Sequence, residues 1–406
     1  MAWGAAPKLS IVIPTGIQTG GTAMRQTFFL PSHVEGCCAA LGRAGHGAYP
    51  VGGGVRDLLL GRAPQDWDVT TSARPEQILA LFPGSVPTGG AHGTVTVPTP
   101  GGPVEVTPFR AEGGYSDGRH PDAVSFGVSL EEDLARRDFT VNALALAPNG
   151  TVIDPFGGLA DLDAGVLRCV GDPARRFSED RLRMLRALRL AAQLGFALHP
   201  TVEAALASAP SPANLAVERV GAEVDKALLS PRPGWVGEML RYRLLAPWLG
   251  PTQADTAPLA ALPARPLERW AGLAGLLDDG ELPKKLRRPG AVARPVRAGL
   301  ALLRAGLPDT QAGWRHALAA QGEDSCRAAA SMALALGDGG PEETLAYTLA
   351  ARPPLTVKDL ALSGGELAAL GLSGREIGAA QARLLSHVLD RPEDNRREAL
   401  LDLLGR

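Results

Sequence analysis

From about Pro31 to Arg168, apolar residues fall in short alternating runs broken by Gly and Pro, as in "GTVTVPTP", "PVEVTPFR" and "GTVIDPFGG". Alternation with period two, bounded by such residues, predicts half-buried strands. Between them the spacing becomes helical at Glu35 to Ala44, Val55 to Gly61 and Glu131 to Leu134. This part therefore reads as a mixed sheet-and-helix domain. From Ser178 onward the pattern is Leu/Ala-rich with helical periodicity, strand signals nearly vanish, and the remainder is expected to be helical. The stretches Pro251 to Pro266 and Pro283 to Pro295 read as connections between helices.

A chain of 406 residues is too long for one ordinary core and divides into several domains. Its net charge of -2 is nearly neutral, so a nucleic-acid partner has to meet a local basic surface. Such a surface is available from Arg168 to Arg243, where twelve Lys or Arg stand against eight Asp or Glu. Arginine dominates the cations, which suits bidentate grips on phosphate, although a GC-rich genome gives the same bias. Cys37, Cys38, Cys169 and Cys326 form neither a disulfide framework nor a metal-binding spacing, which fits a reducing cytoplasm. Residues 1–30 carry one brief apolar run cut by Pro14, too short for a membrane span; they read as a flexible leader, with Met24 as an alternative start. The seven histidines make no H-E-x-x-H pattern, which argues against a zinc hydrolase.

Candidate chemistry concentrates in "YPVGGGVRDLLLGRAPQDWDVTTS", Tyr49 to Ser72. A strand enters Gly52, Gly53 and Gly54, and a helix is expected from about Val55. Glycine lets backbone amides approach a phosphate, a helix N-terminus adds partial positive charge, and Arg56 reaches the same anion. Three glycines alone are also what a tight turn requires. Asp66 and Asp68 flank Trp67 in a strand-like segment, so alternation puts both carboxylates on one face and the indole on the other. Two like charges at that spacing ask for a hard cation such as Mg²⁺, which one or two carboxylates hold together with substrate phosphates. The plain alternative is a solvated strand end. Glu105, the lone acid in its β-branched run, completes the cluster if its strand lies beside that of Asp68.

Two further segments carry charge in unusual places. In "LARRDFTVNALAL", Arg136, Arg137 and Asp138 precede an apolar run that holds Asn142; a local Arg137–Asp138 ion pair with Asn142 as a cap is the bland reading. In "FSEDRLRMLRALRL", read as one helix, Asp180, Arg183, Arg186 and Arg189 share a stripe, and like charges at that spacing repel by a few tenths of a kcal/mol. A row of that kind suggests an anionic ligand.

These segments, with "DPFGGLADLDAGVLRCVGDPARRFSEDRLRMLRALR" and "ERVGAEVDKALLS", resemble the ordered motifs of the class II tRNA nucleotidyltransferase and bacterial poly(A) polymerase family, from roughly Tyr49 to Ser230. "LSGGELAALGLSGREIG" is similar to the family's tail segment. The resemblance implies an α+β fold: a polymerase-β-like nucleotidyltransferase head (31–167), then an all-helical neck (168–235), body (236–345) and tail (346–406). It implies that Gly53 and Arg56 contact the nucleotide, Asp66 and Asp68 hold magnesium, Arg137 and Asp138 contact triphosphate and ribose, and Arg186 and Arg189 support the pocket. Asp180 and Arg183 would read the base. The chemistry agrees, because a carboxylate accepts and a guanidinium donates, matching the amino donor and ring-nitrogen acceptor that cytosine and adenine share.

The implied partners are tRNA, with CTP and ATP as substrates, and Mg²⁺ as cofactor. "TGGAHGTVTV", Thr88 to Val97, is similar to the tRNA-specific branch rather than to poly(A) polymerases. Arg110 to Val124 resembles the loop that accompanies A addition. "PKKLRRPG", Pro283 to Gly290, offers cations to tRNA phosphates, or is simply a solvated helix end.

Overall fold

The structure is a computed structural model, and it describes residues 30–88, 93–114 and 123–405. The expected leader lies outside the described residues, as do the centres of the Thr88–Val97 and Arg110–Val124 segments. By internal contacts the chain separates into two units, Met1–Leu215 and Ala216–Arg406, a division inside the stretch expected as the neck.

The first unit opens with α1 (Ser32–Arg43), β1 (Ala48–Val51), α2 (Gly52–Leu59) and β2 (Asp68–Thr71). Next come α3 (Pro75–Leu81), β3 (Val86–Pro87), β4 (Val95–Val97) and β5 (Val104–Pro108). A two-stranded ribbon, β6 (Arg110–Gly113) and β7 (Ala123–Phe126), precedes α4 (Leu130–Ala135), β8 (Ala145–Leu146) and β9 (Val152–Ile153). The main sheet runs β3-β4-β5-β2-β1-β8-β9. Its centre is mixed: β2 is antiparallel to β1 and parallel to β5, with Asp68 opposite Glu105. Alternation works as the sequence suggests. In β5, Val104 and Val106 are fully buried and Glu105 between them is exposed. Trp67 joins the core with Val69, Ile78, Val95 and Val97, leaving Asp66 and Asp68 on the other face.

The unit ends with α5 (Gly158–Ala164), β10 (Val166–Leu167), α6 (Pro173–Glu179), α7 (Leu182–Leu194), β11 (Ala197–Leu198) and α8 (Pro200–Ala207). β10 and β11 pair in parallel, a strand pair that reaches into the helical region.

Three expectations need correction. The strand carrying the aspartates starts at Asp68, so Asp66 and Trp67 lead into it rather than lie within it. The glycine triplet is not a loop ahead of the helix but its first turn, because α2 begins at Gly52. The reason is crowding. Gly52 has φ +74°, and a Cβ there would sit 3.1 Å from both Asp68 Oδ2 and Arg137 Nη1; a Cβ at Gly54 would meet the Asp66 carbonyl and the Trp67 ring at 3.0 Å. Without side chains, the helix start can lie directly on the aspartate segment.

The third correction concerns the arginine row, which is not one helix with Asp180. α6 stops at Glu179, and Asp180 is extended (φ −135°, ψ 105°). Its Oδ1 accepts the Leu182 amide at 2.9 Å. The first turn of a helix has unmet N–H groups, and a short carboxylate there competes with helix continuation. α7 therefore begins afresh at Leu182.

The second unit is helical among its described residues. Helices Pro266–Leu276, Gly290–Ala305 and Glu323–Ala335 form its middle, with Trp270 and Trp314 among its fully buried side chains. Pro251–Pro266 is a connection with a short 3₁₀ turn. Pro283–Pro295, expected as a connection, is mostly helical. Pro283 lies in the first turn of Leu282–Lys285 and Pro289 just before Gly290–Ala305, positions where the missing N–H costs nothing. Pro295 sits inside that helix. Near the end, Ser363 and Glu366 form a reciprocal cap at the start of Gly364–Ala369, and Leu362, Leu367, Leu384, Val388 and Leu400 close a small core.

Candidate active site

β2, β5 and the start of α2 bring the predicted acids and glycines together. Asp66 is exposed and Asp68 half-buried, while Glu105 is Asp68's register neighbour on the adjoining strand. None of the three carboxylates accepts a hydrogen bond or forms an ion pair with a described residue. Burial pushes the Asp68 carboxyl up, Arg137 pulls it down, and Asp66 adds to the rise. Glu105 is also raised, first by burial and then by the charges of Asp68 and Asp66. This mutual repulsion is the mark of a site that a cation would stabilise.

Among the described residues no group of three or more His, Cys, Asp or Glu is gathered closely enough to hold a metal alone. The donor chemistry nevertheless fits Mg²⁺. It takes hard oxygen ligands, usually one or two carboxylates completed by substrate phosphates and water. Asp66 and Asp68 would supply the two, and Glu105 stands beside them rather than within a ready-made cage.

Arg137 faces this site. Its guanidinium lies near Gly52 and Asp68, and Asp133 pairs with it at 3.5 Å. Its Nε is buried with no hydrogen-bond partner, a donor that an incoming anion would satisfy. Burial lowers its pKa, and Asp133 opposes the fall. Asp133 is fully buried; it also accepts from Thr70 Oγ1 at 3.1 Å and from Arg136 at 2.8 Å.

The remaining predicted residues form a second layer, centred on Asp138. The local Arg137–Asp138 pair does not form. Asp138 instead takes Arg186 of α7 through two bonds of 2.8 and 2.6 Å, together with the Phe139 amide and the Asn142 side chain. Burial raises this carboxyl, but Arg186 and the hydrogen bond from Asn142 outweigh that and hold it well below the usual carboxylate range. Arg56 is itself buried, bonded to Asp57 at 2.9 Å and to Asn142 at 2.7 Å; a Cβ on Gly53 would lie 3.5 Å from its Nη2.

On α7, Arg183 donates to Glu179 at 2.7 Å and to the Arg176 and Arg136 carbonyls. Glu179 also takes Arg175 and Arg176, so one carboxylate compensates three guanidiniums. Arg189 turns along its own helix to Gln193 Oε1 at 2.6 Å. Arg183 and Arg186 are thus held by acids inside the fold, and Arg189 also bonds the amide of Gln193. Glu179, Asp133 and Asn142, the groups that set these arginines, were not among the predicted site residues. For Asp133 and Glu179 the signal was available, since each stands at i,i+3 and i,i+4 from the arginines it pairs with, whereas the bond from Arg56 to Asn142 comes from another element and leaves no trace in the spacing.

A glycine helix start pressed on paired acids, beside a buried arginine, suits phosphoryl transfer from a nucleoside triphosphate, and the relatives of the chain place it among the nucleotidyltransferases. Residues 48–168 match the family described as the poly A polymerase head domain. Over 380 residues the chain is 39% identical to the CCA-adding enzyme of Lactiplantibacillus plantarum, covering 88% of this chain and 92% of that one. The CCA-adding enzyme of Geobacillus stearothermophilus is 38% identical over 360 residues, 82% of this chain and 85% of the other.

Among solved structures, the Bacillus stearothermophilus CCA-adding enzyme in complex with CTP aligns at TM-score 0.75 and 34% identity, over 92% of this chain and 97% of that one. The Thermotoga maritima enzyme complexed with tRNA shares the fold, at TM-score 0.65 and 21% identity, over 92% of this chain and 94% of its own. The chain belongs to the CCA-adding enzyme family.

Proposed function

We propose that this chain adds CCA, or its terminal A, to the 3′ end of tRNA from CTP and ATP without a nucleic-acid template. The observation that carries the reading is the uncompensated Asp66/Asp68 pair, set against Gly52 and the unmet donor of Arg137. Asp66 and Asp68 would hold two magnesium ions with the triphosphate, with Glu105 adjoining, and the metal would supply activation of the 3′-hydroxyl and neutralisation of the leaving oxygens. Arg137 would grip the phosphates through its free Nε, while the start of α2 offers backbone amides to the same anion. Asp138 would meet the ribose. Positioning and electrostatics suffice for in-line attack on the α-phosphate, with pyrophosphate leaving and no covalent enzyme intermediate.

Asp180 and Arg183 would read the base. Cytosine and adenine satisfy both groups, whereas uracil and guanine leave a donor and an acceptor unpaired at about 1 to 3 kcal/mol each. Arg189 would support the pocket from farther along α7. The head, neck, body and tail boundaries given above, and a cytoplasmic location, belong to the same proposal; among the described residues no helix is long and apolar enough to cross a membrane.

RNA contact falls to the helical half, and the cluster Pro283–Gly290 divides there. Arg288 is clamped on Asp225 and on the Glu218 carbonyl, Lys284 and Lys285 pair with Glu281 and Asp279, and Arg287 is exposed. Arg287 is thus the member of this cluster best placed to meet phosphate.

The deciding experiment supplies tRNA transcripts ending before CCA, after C and after CC, with CTP and ATP given separately. Incorporation of C on the first two and A on the last supports full CCA addition, and A on the last alone supports terminal-A addition. Long A tracts on any RNA would identify a poly(A) polymerase, and no incorporation at all would overturn the enzymatic reading.

A further inference from the structure

Asn142 lies in the 3₁₀ turn Thr140–Asn142 and is 7% exposed. Its amide is occupied on both sides by groups of opposite character. Arg56 Nη1 donates to Oδ1 at 2.7 Å, and Nδ2 donates to Asp138 Oδ1 at 3.1 Å. The orientation follows from the partners, because a guanidinium can only donate and an ionised carboxylate can only accept. The oxygen must face Arg56 and the nitrogen Asp138. Asp138 then binds Arg186 with its other oxygen. A continuous chain therefore runs from buried Arg56 through Asn142 and Asp138 to the half-buried Arg186, and ties α2, under the glycine turn, to α7.

Few side chains fit this place. Aspartate at 142 would satisfy Arg56 but set a second carboxylate against Asp138, and leucine would orphan a donor and an acceptor at once. An amide of this length presents an acceptor one way and a donor the other. The unpaired alternatives are costly in such a buried network, so the arrangement fixes both neighbours before any ligand arrives.

We propose that Asn142 is a positioning residue, coupling Arg56 at the phosphate end of the site to Arg186 on the base-reading helix. The inference rests on the nucleotide-binding reading of those two arginines and deepens it. With Asn142 in place, Arg56 and Arg186 act on a nucleotide as a unit; without it they act separately.

The test is equilibrium binding of ATP and CTP to the full-length protein without RNA, so that turnover plays no part. Arg56→Gln and Arg186→Gln are measured singly and together, in the wild-type and Asn142→Ala backgrounds. In the wild-type background the double substitution should depart from the product of the singles by threefold or more, on the order expected for coupled neighbours. Asn142→Ala should weaken both nucleotides about tenfold, unfold within a few degrees of wild type, and abolish that departure.

Binding of Asn142→Ala at wild-type strength, or coupling that survives in it, would overturn the proposal. If Asn142→Ala does not fold, the wild-type cycle decides alone: penalties that multiply to within about twofold overturn the coupling. Wild-type protein that binds neither nucleotide would overturn the functional reading and this inference with it.

Discussion

The carboxylates at the ends of the central strands β2 and β5 and the arginines of α7 are both rows of like charge, and the fold treats them in opposite ways. Asp66, Asp68 and Glu105 have no hydrogen bond or ion pair to a described residue, and burial and mutual repulsion raise Asp68 and Glu105. Arg183 and Arg186, by contrast, are answered inside the protein by Glu179 and by Asp138, whose carboxyl is held low. A charge neutralised within the fold is already oriented and can act as a rigid reader. A charge left unmatched raises the energy of the empty protein, and that energy becomes available to whatever cation binds there. Under the proposed function, the first region would serve a metal and the second recognition.

Removing the unmatched charges is the most severe way to break this contrast. Asp66→Ala or Asp68→Ala should lower single-turnover incorporation of ATP into a tRNA ending in CC by about a thousandfold or more, since neutralising charge in the transition state is what contributes most to the rate at such sites. Binding of tRNA, measured by filter retention, should stay near wild type. Turnover retained in either variant would remove the metal role.

The reader should fail differently. Asp180→Ala leaves the carboxylate cluster intact and removes one acceptor from the expected base contact. Correct incorporation should fall modestly, while preference for CTP and ATP over UTP and GTP drops by roughly ten- to a hundredfold, the span of one or two mismatched hydrogen bonds. Competition between labelled nucleotides in one reaction measures this. Unchanged discrimination would mean that base selection resides elsewhere.

The legibility of the two regions in the amino-acid sequence follows the same division. The carboxylate cluster is legible because it is local: alternation about Trp67 puts Asp66 and Asp68 on one face, and Glu105 stands alone in its strand. Its one non-local condition, that β5 lie beside β2, is met in the fold, where the register pairs Asp68 with Glu105. The start of α2 is misplaced by three residues because glycine's poor helix propensity outweighs, in the sequence, a close approach that exists only once Trp67 and Arg137 arrive. The arginine row is legible as composition but not as mechanism. The break at Asp180 is a competition between one side chain and a backbone, and the partners of Arg183 and Arg186 come from α6 and from the turn before Thr140. Periodicity can suggest Glu179 for Arg183, four residues away, but cannot show that Asp138 answers Arg186 across 48 residues.

The smallest effect is one of stability, and it gives the two regions opposite signs. Asp68 and Glu105 have raised folded-state pKa values, so the folded protein binds their protons more tightly than the unfolded chain does. Their contribution is favourable below the ordinary carboxylate range and is lost as pH rises through the raised values. Asp138 is depressed, so its contribution is present above the ordinary carboxylate pKa and is lost as pH falls through the lowered value. At neutral pH without metal, Asp68→Asn should therefore raise the melting temperature by about 2 to 4 °C, and Asp138→Asn should lower it by at least as much. Saturating Mg²⁺ should raise the wild-type midpoint, because under the proposed function it would bind these carboxylates in the folded protein and not in the unfolded chain. That increment should shrink as pH drops into the range where Asp68 and Glu105 take up protons, and Asp68→Asn should lose most of it. Scanning calorimetry over pH, with and without Mg²⁺, measures all of these. A destabilised Asp68→Asn, or a Mg²⁺ increment that the substitution leaves intact, would show that the carboxylate cluster is not under the electrostatic strain assigned to it.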